Sequence, residues 1–151
     1  MRALLLGHAA STLGMVAVIW FVQLVHYPLF AQVGAAGFAR YEALHTQRIS
    51  WIVVPLMLAE AITALVLWSG DVAWASRAER TFGAALVLAL WASTFLLSVP
   101  EHGRLARGFD AASHARLVGT NWIRTVLWSL RGGLVLLWLW RALARAPMES
   151  A

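Results

Sequence analysis

The fold is decided by residues 23–60, which read QLVHYPLFAQVGAAGFARYEALHTQRISWIVVPLMLAE. Six polar or charged side chains stand at or inside the ends of two very apolar segments in this stretch: Gln23, His26, Glu42, His45, Arg48 and Glu60. Hydrocarbon disfavours such groups unless they pair, bind a ligand or face water. The stretch therefore predicts two membrane helices with a polar site at their ends.

The spacing within this stretch also predicts which side chains share a face. Glu42 and His45 are three residues apart, so both project from one face of a helix. Glu60 follows Glu42 by about five turns of 3.6 residues and returns to that face if the helix continues. A carboxylate and an imidazole at this spacing, with a second carboxylate deeper on the stripe, form an arrangement that a metal could use.

The composition places the whole chain in lipid. Of its 151 residues 61% are hydrophobic and only 13% are charged, and the mean hydropathy is +0.71. We expect one domain, residues 1–151. The basic residues are all arginine and sit at segment ends, where they anchor headgroups, so nucleic acid is not an expected partner. The absence of cysteine excludes disulfides and thiolate metal sites.

Four apolar segments, at about residues 4–27, 49–68, 81–99 and 117–140, are each long enough to span a bilayer. The first is too long for a signal peptide and is expected to be retained. The expected fold class is an all-α membrane protein, a four-transmembrane-helix bundle in a bacterial-type cytoplasmic membrane. Short helices in the two longer connectors, 29–50 and 100–116, are expected to cap one face, and Pro28 and Pro100 are expected to end their segments.

The fourth segment carries a polar stripe. Asn121, Arg124, Trp128 and Arg131 are spaced three, four and three residues apart and so share one helical face. A cation near mid-membrane needs a partner, and Glu60 is the acid at comparable depth, so we expect Glu60 to contact Arg131. The pair either fixes how the helices pack or serves a ligand, with Arg131 or Arg124 binding an anionic or oxygenated group.

The histidines suggest a metal site. His26, His45 and His102 are expected at one membrane level, where with Glu42 they would hold one transition metal: iron, copper, zinc or manganese. The alternative cofactor is haem, with His26 and either His102 or His45 as axial ligands. His8 and His114 are expected to be solvated or interfacial.

The last third of the chain resembles a known family. Val99-Pro-Glu-His-Gly-Arg-Leu and Asn121-Trp-Ile-Arg-Thr are similar to motifs of small four-helix bacterial membrane proteins, the anthrone oxygenase-like family. This resemblance implies that Asn121 and Arg124 belong to a polar core. The family usually has Asn where this chain has His102, which leaves metal binding open. A weaker resemblance, to the bacterial membrane protoporphyrinogen oxidase, implies haem at His8.

These features predict a membrane oxidoreductase or oxygenase-like protein with a hydrophobic, oxygen-bearing substrate that enters from the lipid. Glu60 would be a further ligand or proton acceptor, and Arg124 and Asn121 would orient the substrate. The alternative is a non-enzymatic membrane module, namely a subunit, small-ligand binder or haem carrier whose polar cluster is structural. The expected partners are the bilayer, the hydrophobic small molecule and a second copy of the chain.

Overall fold

The computed structural model describes residues 1–145; residues 146–151 of the predicted domain lie outside the described residues. Helices dominate the described part, which contains no strand. Its four long helices are each long and apolar enough to cross a membrane. They are α1 (Arg2–Gln32), α2 (Ala35–Ser69), α3 (Arg77–Leu105) and α4 (Ala111–Ala144).

Each predicted span lies inside one of these helices, but the prediction of separate capping helices is wrong. The helix predicted within the first connector is the beginning of α2. No helix-breaking residue separates it from the apolar segment that follows, so the two form one continuous helix, Ala35–Ser69. Residues 100–105 likewise continue α3. The connectors at this end of the bundle, which we call the mouth, are therefore only 33–34 and 106–110.

The predicted helix ends at Pro28 and Pro100 are also wrong, and the two helices that run through these prolines share one device. A π-helical turn, Val22–His26 in α1 and Thr94–Ser98 in α3, ends two residues before each proline. A proline ring normally clashes with the carbonyl four residues earlier. The wider π turn, which inserts one residue, precedes the proline in both helices and lets the chain continue as helix.

The helices form a ring in which α1 packs on α2, α2 on α3, α3 on α4 and α4 on α1. Short connectors make neighbouring helices antiparallel. At the opposite end from the mouth, Ser76 and Glu79 form a capping box that starts α3. At the mouth, the Asp110 carboxylate accepts a hydrogen bond from the Ser113 backbone N–H and starts α4, and hydrogen bonding by Ser113 holds the pKa of Asp110 below its usual value.

The core consists of three layers along the bundle axis. The central layer packs Met15, Ile19, Met57, Leu90 and Trp128 against one another. One apolar cluster lies below it towards the chain termini and another above it at the mouth. The outer surface is strongly apolar, with large exposed side chains on every helix, as expected of helices that face lipid. The bundle thus separates polar groups at the mouth from those nearer the termini.

Candidate functional site

A chain of three side chains from three helices lies at the mouth. His102 Nδ1 on α3 is 2.5 Å from Glu42 Oε1 on α2, and His102 Nε2 is 2.9 Å from the Tyr27 hydroxyl on α1. When the neutral ring donates its Nδ1–H to the carboxylate, Nε2 accepts the hydrogen bond from the tyrosine. Glu42 therefore fixes the tautomer of His102 and orients the ring towards Tyr27.

Two further histidines adjoin this chain. His26 Nε2 on α1 lies 2.8 Å from His45 Nδ1 on α2, and the His45 ring centroid is 5.5 Å from that of His102. Three of the four predicted metal-site residues thus come from α1 and α2, and the fourth from α3. The structure brings His26, Glu42, His45 and His102 together, but through hydrogen bonds and ring contacts with one another.

Local structure explains why these groups meet. Glu42 and His45 share a face of α2 because they are three residues apart in an unbroken helix. On a regular helix, neighbouring residues point about 100° apart. The π turn that ends at His26 widens α1 at this level, and both His26 and Tyr27 make hydrogen bonds in the cluster. The geometry of α1 therefore supplies two adjacent residues to one site.

A cavity of about 640 Å³ opens beside the cluster, mainly between α2 and α3, and we call it the α2–α3 cavity. Its polar lining includes Tyr27, His45, His102 and Arg124, whereas most of its wall is aliphatic or aromatic. The wall includes side chains that are also exposed on the outer surface: Val54, Leu58, Phe95 and Val99. The cavity therefore connects the apolar exterior with the polar cluster, and its size suits one small hydrophobic ligand.

Arg124 supplies the positive charge of this cavity. It is only 5% exposed, and no carboxylate of the described residues forms a salt bridge with it. Its Nη1 donates to Asn121 Oδ1 at 3.2 Å and to Ser98 Oγ at 3.4 Å, while its Nε has no partner in the described part of the chain. A buried guanidinium with an unused donor beside a cavity is suited to bind a ligand oxygen.

Asn121 is itself held in place. Its Nδ2 donates to Gln23 Oε1 at 2.9 Å, and Gln23 Nε2 donates to the Val118 carbonyl at 3.3 Å. Gln23 lies within the π turn of α1, so the amide pair joins α1 to α4 immediately behind Arg124. Asn121, held in this way, in turn helps to hold Arg124.

Glu60 and Arg131 form a separate polar centre. The predicted contact is confirmed: Arg131 Nε donates to Glu60 Oε1 at 2.6 Å, and both side chains are buried. Glu60 follows His45 by fifteen residues in α2, which places it about 22 Å along the helix. The expectation that Glu60 adds a ligand or proton acceptor to the histidine site is therefore wrong.

His8 belongs to this second centre. Its Nε2 lies 2.7 Å from Arg131 Nη2 and its Nδ1 lies 2.7 Å from Thr63 Oγ1. The expectation that His8 is solvated or interfacial is wrong, because it is fully buried. His114 is half-buried at the mouth, where its Nε2 donates to the Tyr27 carbonyl at 2.8 Å.

The donor atoms of the histidine cluster do not fit a metal as they stand. Within residues 1–145, no group of three or more His, Asp or Glu side chains has metal-holding geometry. Both nitrogens of His102 and one nitrogen each of His26 and His45 are used in hydrogen bonds within the cluster. The fully buried Oε2 of Glu42 has no hydrogen-bond partner within residues 1–145, but a single free carboxylate oxygen is not enough to hold a metal ion. Haem fits no better between His26 and His45, whose ring centroids are only 4.6 Å apart.

Tyr27 and Ser98 are functional candidates that the sequence reasoning missed. The apolar pattern places Tyr27 only at the end of the first segment, although its position between His26 and Pro28 is a signal that this turn is unusual. Ser98 ends the second π turn and contacts Arg124. Its small polar side chain, two residues before Pro100, resembles many helix serines and gave no specific signal.

In comparisons with protein-family models, curated proteins and solved structures, nothing matches this chain. The functional argument therefore depends on the geometry of the described residues.

Proposed function

We propose that this protein is a multi-pass membrane protein that binds a hydrophobic, oxygen-bearing molecule in the α2–α3 cavity and exchanges a proton with its oxygen. One observation carries the proposal: an apolar cavity that reaches the outer surface ends on Arg124, His102 and Tyr27. Its apolar wall suits a ligand that arrives from lipid, and its polar end suits a carbonyl, enol or phenol oxygen.

Arg124, Tyr27 and His102 would have different roles in binding the ligand and transferring the proton. Arg124, held by Asn121, would hydrogen-bond the ligand oxygen and stabilise negative charge on it. The Tyr27 hydroxyl would donate a proton to that oxygen or accept one from it. His102, oriented by Glu42, would replace or remove the tyrosine proton. This arrangement follows the general rule of a reacting group, a base and a third group that orients the base.

The predicted oxidoreductase or oxygenase activity is the broader reaction class into which this proton exchange would fit. Carbonyl and phenol oxygens gain or lose protons when hydrophobic quinone-type molecules are reduced or oxidised. We propose that the bundle is located in a bacterial-type cytoplasmic membrane. The four apolar helices and the apolar outer surface support a membrane location.

The test uses a 2-hydroxy-3-alkyl-1,4-naphthoquinone, whose visible absorption reports whether its hydroxyl is ionised. Full-length protein in lipid nanodiscs is titrated with this compound. We expect saturable binding that favours the ionised form, because Arg124 stabilises the anion. Arg124→Gln should weaken binding roughly tenfold, since a charge-assisted hydrogen bond is lost.

The matched control is Arg107→Gln, which removes an exposed arginine at the mouth that does not line the cavity. It should bind as the unmodified protein does. Equal binding by the Arg124 and Arg107 variants, with both folded by circular dichroism, would overturn the proposal.

The second candidate is the non-enzymatic module, and a specific feature favours it. Polar side chains at the mouth also join helices to one another: Arg116 Nε on α4 donates to Glu101 Oε1 on α3 at 3.0 Å, and Asn121 Nδ2 on α4 donates to Gln23 Oε1 on α1 at 2.9 Å. In this case the cavity would hold a ligand without chemistry. The naphthoquinone would then keep its preference for the ionised form unchanged in a Glu42→Gln variant, because only Arg124 would set that preference.

A further inference from the structure

A second cavity lies on the other side of His45. It has a volume of about 660 Å³ and is formed by α1 and α2, and we call it the α1–α2 cavity. His45 lines both cavities, and His26, to which it is bonded, lines only this one. His45 therefore lies between two apolar spaces, together with Val18, Val22 and Ile49, and the proposed function uses only one of these spaces.

The polar groups of the α1–α2 cavity are few, and none of them is a carboxylate. Arg48 and Tyr41 line it together with His26, and the rest of its lining is apolar or His45. The structure gives Arg48 no salt bridge and no side-chain hydrogen bond to a described residue. A guanidinium at the edge of an apolar space, without a carboxylate of the protein, is electrostatically complementary to an anion that carries a hydrocarbon chain.

We infer that the α1–α2 cavity binds a long-chain carboxylate, with its carboxylate on Arg48 and its chain along Phe21 and Ile52. The planar guanidinium fork matches a carboxylate, and Tyr41, two turns earlier on α2, offers a neutral donor in the same cavity. Phe21 and Ile52 are both exposed on the outer surface, so the chain can enter from surrounding lipid. One arginine and a volume suited to one small ligand favour a single-chain acid over a two-chain phospholipid.

The inference does not depend on the proposed function, because Arg124 and the α2–α3 cavity take no part in it. It adds a consequence: the acid would share its cavity with His26, which is hydrogen-bonded to His45 on the wall of the other cavity. A bound acid would thus be connected to the candidate site by the hydrogen-bonded pair His26 and His45.

The experiment is photo-crosslinking with a diazirine-labelled palmitic acid in nanodiscs of a zwitterionic phospholipid, followed by peptide mass spectrometry. We expect labelling of peptides that contain Phe21 and Ile52, and competition by oleate but not by oleyl alcohol. Arg48→Gln should reduce labelling roughly tenfold. Arg40→Gln, an exposed arginine on the same helix outside the cavity, should leave it unchanged.

A second pair of variants tests the cavity without changing charge. Ile52→Trp should fill it and abolish labelling, whereas Ile62→Trp, exposed on α2 outside both cavities, should not. Labelling that survives both Arg48→Gln and Ile52→Trp, or that phosphatidylglycerol suppresses better than oleate does, would overturn the inference. Naphthoquinone binding in the Arg48→Gln variant separates this outcome from failure of the proposed function.

Discussion

Glu42 and His102 are joined by a hydrogen bond of 2.5 Å that links α2 to α3 across sixty residues of sequence. Glu42 is fully buried, and its second carboxylate oxygen has no partner among residues 1–145. Burial of a carboxyl group costs free energy, and the hydrogen bond to His102 offsets part of that cost, so the role we assign to Glu42 is to hold the His102 ring. That role is the first one to test.

Replacing Glu42 with Gln removes the charge and keeps the shape. We expect the naphthoquinone still to bind but to lose about tenfold of its preference for the ionised form, because a neutral amide holds the His102 ring more weakly than a charge-assisted hydrogen bond does. Absorbance titration in nanodiscs measures this. Glu101→Gln is the control, since Glu101 adjoins His102 in sequence but bonds Arg104 and Arg116. Equal loss in both variants would show that the effect is general.

The amide pair behind Arg124 should also be sensitive. Gln23→Leu leaves the Asn121 amide buried without its acceptor, which should destabilise the protein by about 1–3 kcal/mol and weaken naphthoquinone binding. Gln47→Leu, an exposed position on α2, is the control. Thermal unfolding and binding should change together. A lower unfolding temperature with unchanged naphthoquinone binding would mean that Asn121 does not position Arg124.

The buried pair at the other centre should behave as a structural unit. Glu60→Gln or Arg131→Met alone should destabilise the protein by about 3–5 kcal/mol, because each leaves an unpaired buried group. The double variant should recover most of this loss and should bind naphthoquinone normally. Thermal unfolding in detergent measures stability. If the double variant is stable but no longer binds, the pair has a functional role as well.

Gly83 provides an independent test of how tightly Arg131 is held. A Cβ at this position would lie 2.6 Å from Arg131 Nη1, with Leu134 and Trp138 atoms at 3.3 Å. Because Glu60 and His8 hold the guanidinium, Gly83→Ala should destabilise by about 1–3 kcal/mol. Gly133→Ala meets nothing within 4 Å and should be neutral or stabilising. Equal unfolding temperatures would show that Arg131 can move aside.

The metal at His26, Glu42, His45 and His102 stays a prediction, and elemental analysis of purified protein tests it. Because the cluster's nitrogens bond one another, we expect iron, copper and zinc well below one ion per chain. His45→Ala is the control. One ion per chain that disappears in this variant would mean that the cluster's side chains break their hydrogen bonds to one another and bind the metal.

Spacing was sufficient to predict part of this structure. The four helices follow from apolar length, and the shared faces of Glu42 with His45 and of Asn121 with Arg124 follow from the helical period. The Glu60–Arg131 pair followed from depth alone, because each charge had one candidate partner.

Other features depend on geometry that a regular period does not contain. The π turns change the direction in which the residues after them point from α1 and α3. Counting 3.6 residues per turn from Gln23 therefore does not predict that the Tyr27 hydroxyl contacts His102. The burial of His8 depends on Thr63 and Arg131, which are distant in sequence. Pro28 and Pro100 looked like helix ends because the turns that accommodate them have no sequence signature.

The two π turns have a mechanical consequence. They lie in α1 and α3, which face each other diagonally across the ring, and both are next to a proline that removes a backbone hydrogen bond. Both helices therefore have their most compliant point at the mouth side of the central layer. We therefore expect the mouth to widen around a bulkier ligand while the half of the bundle that holds Glu60 and Arg131 keeps its packing.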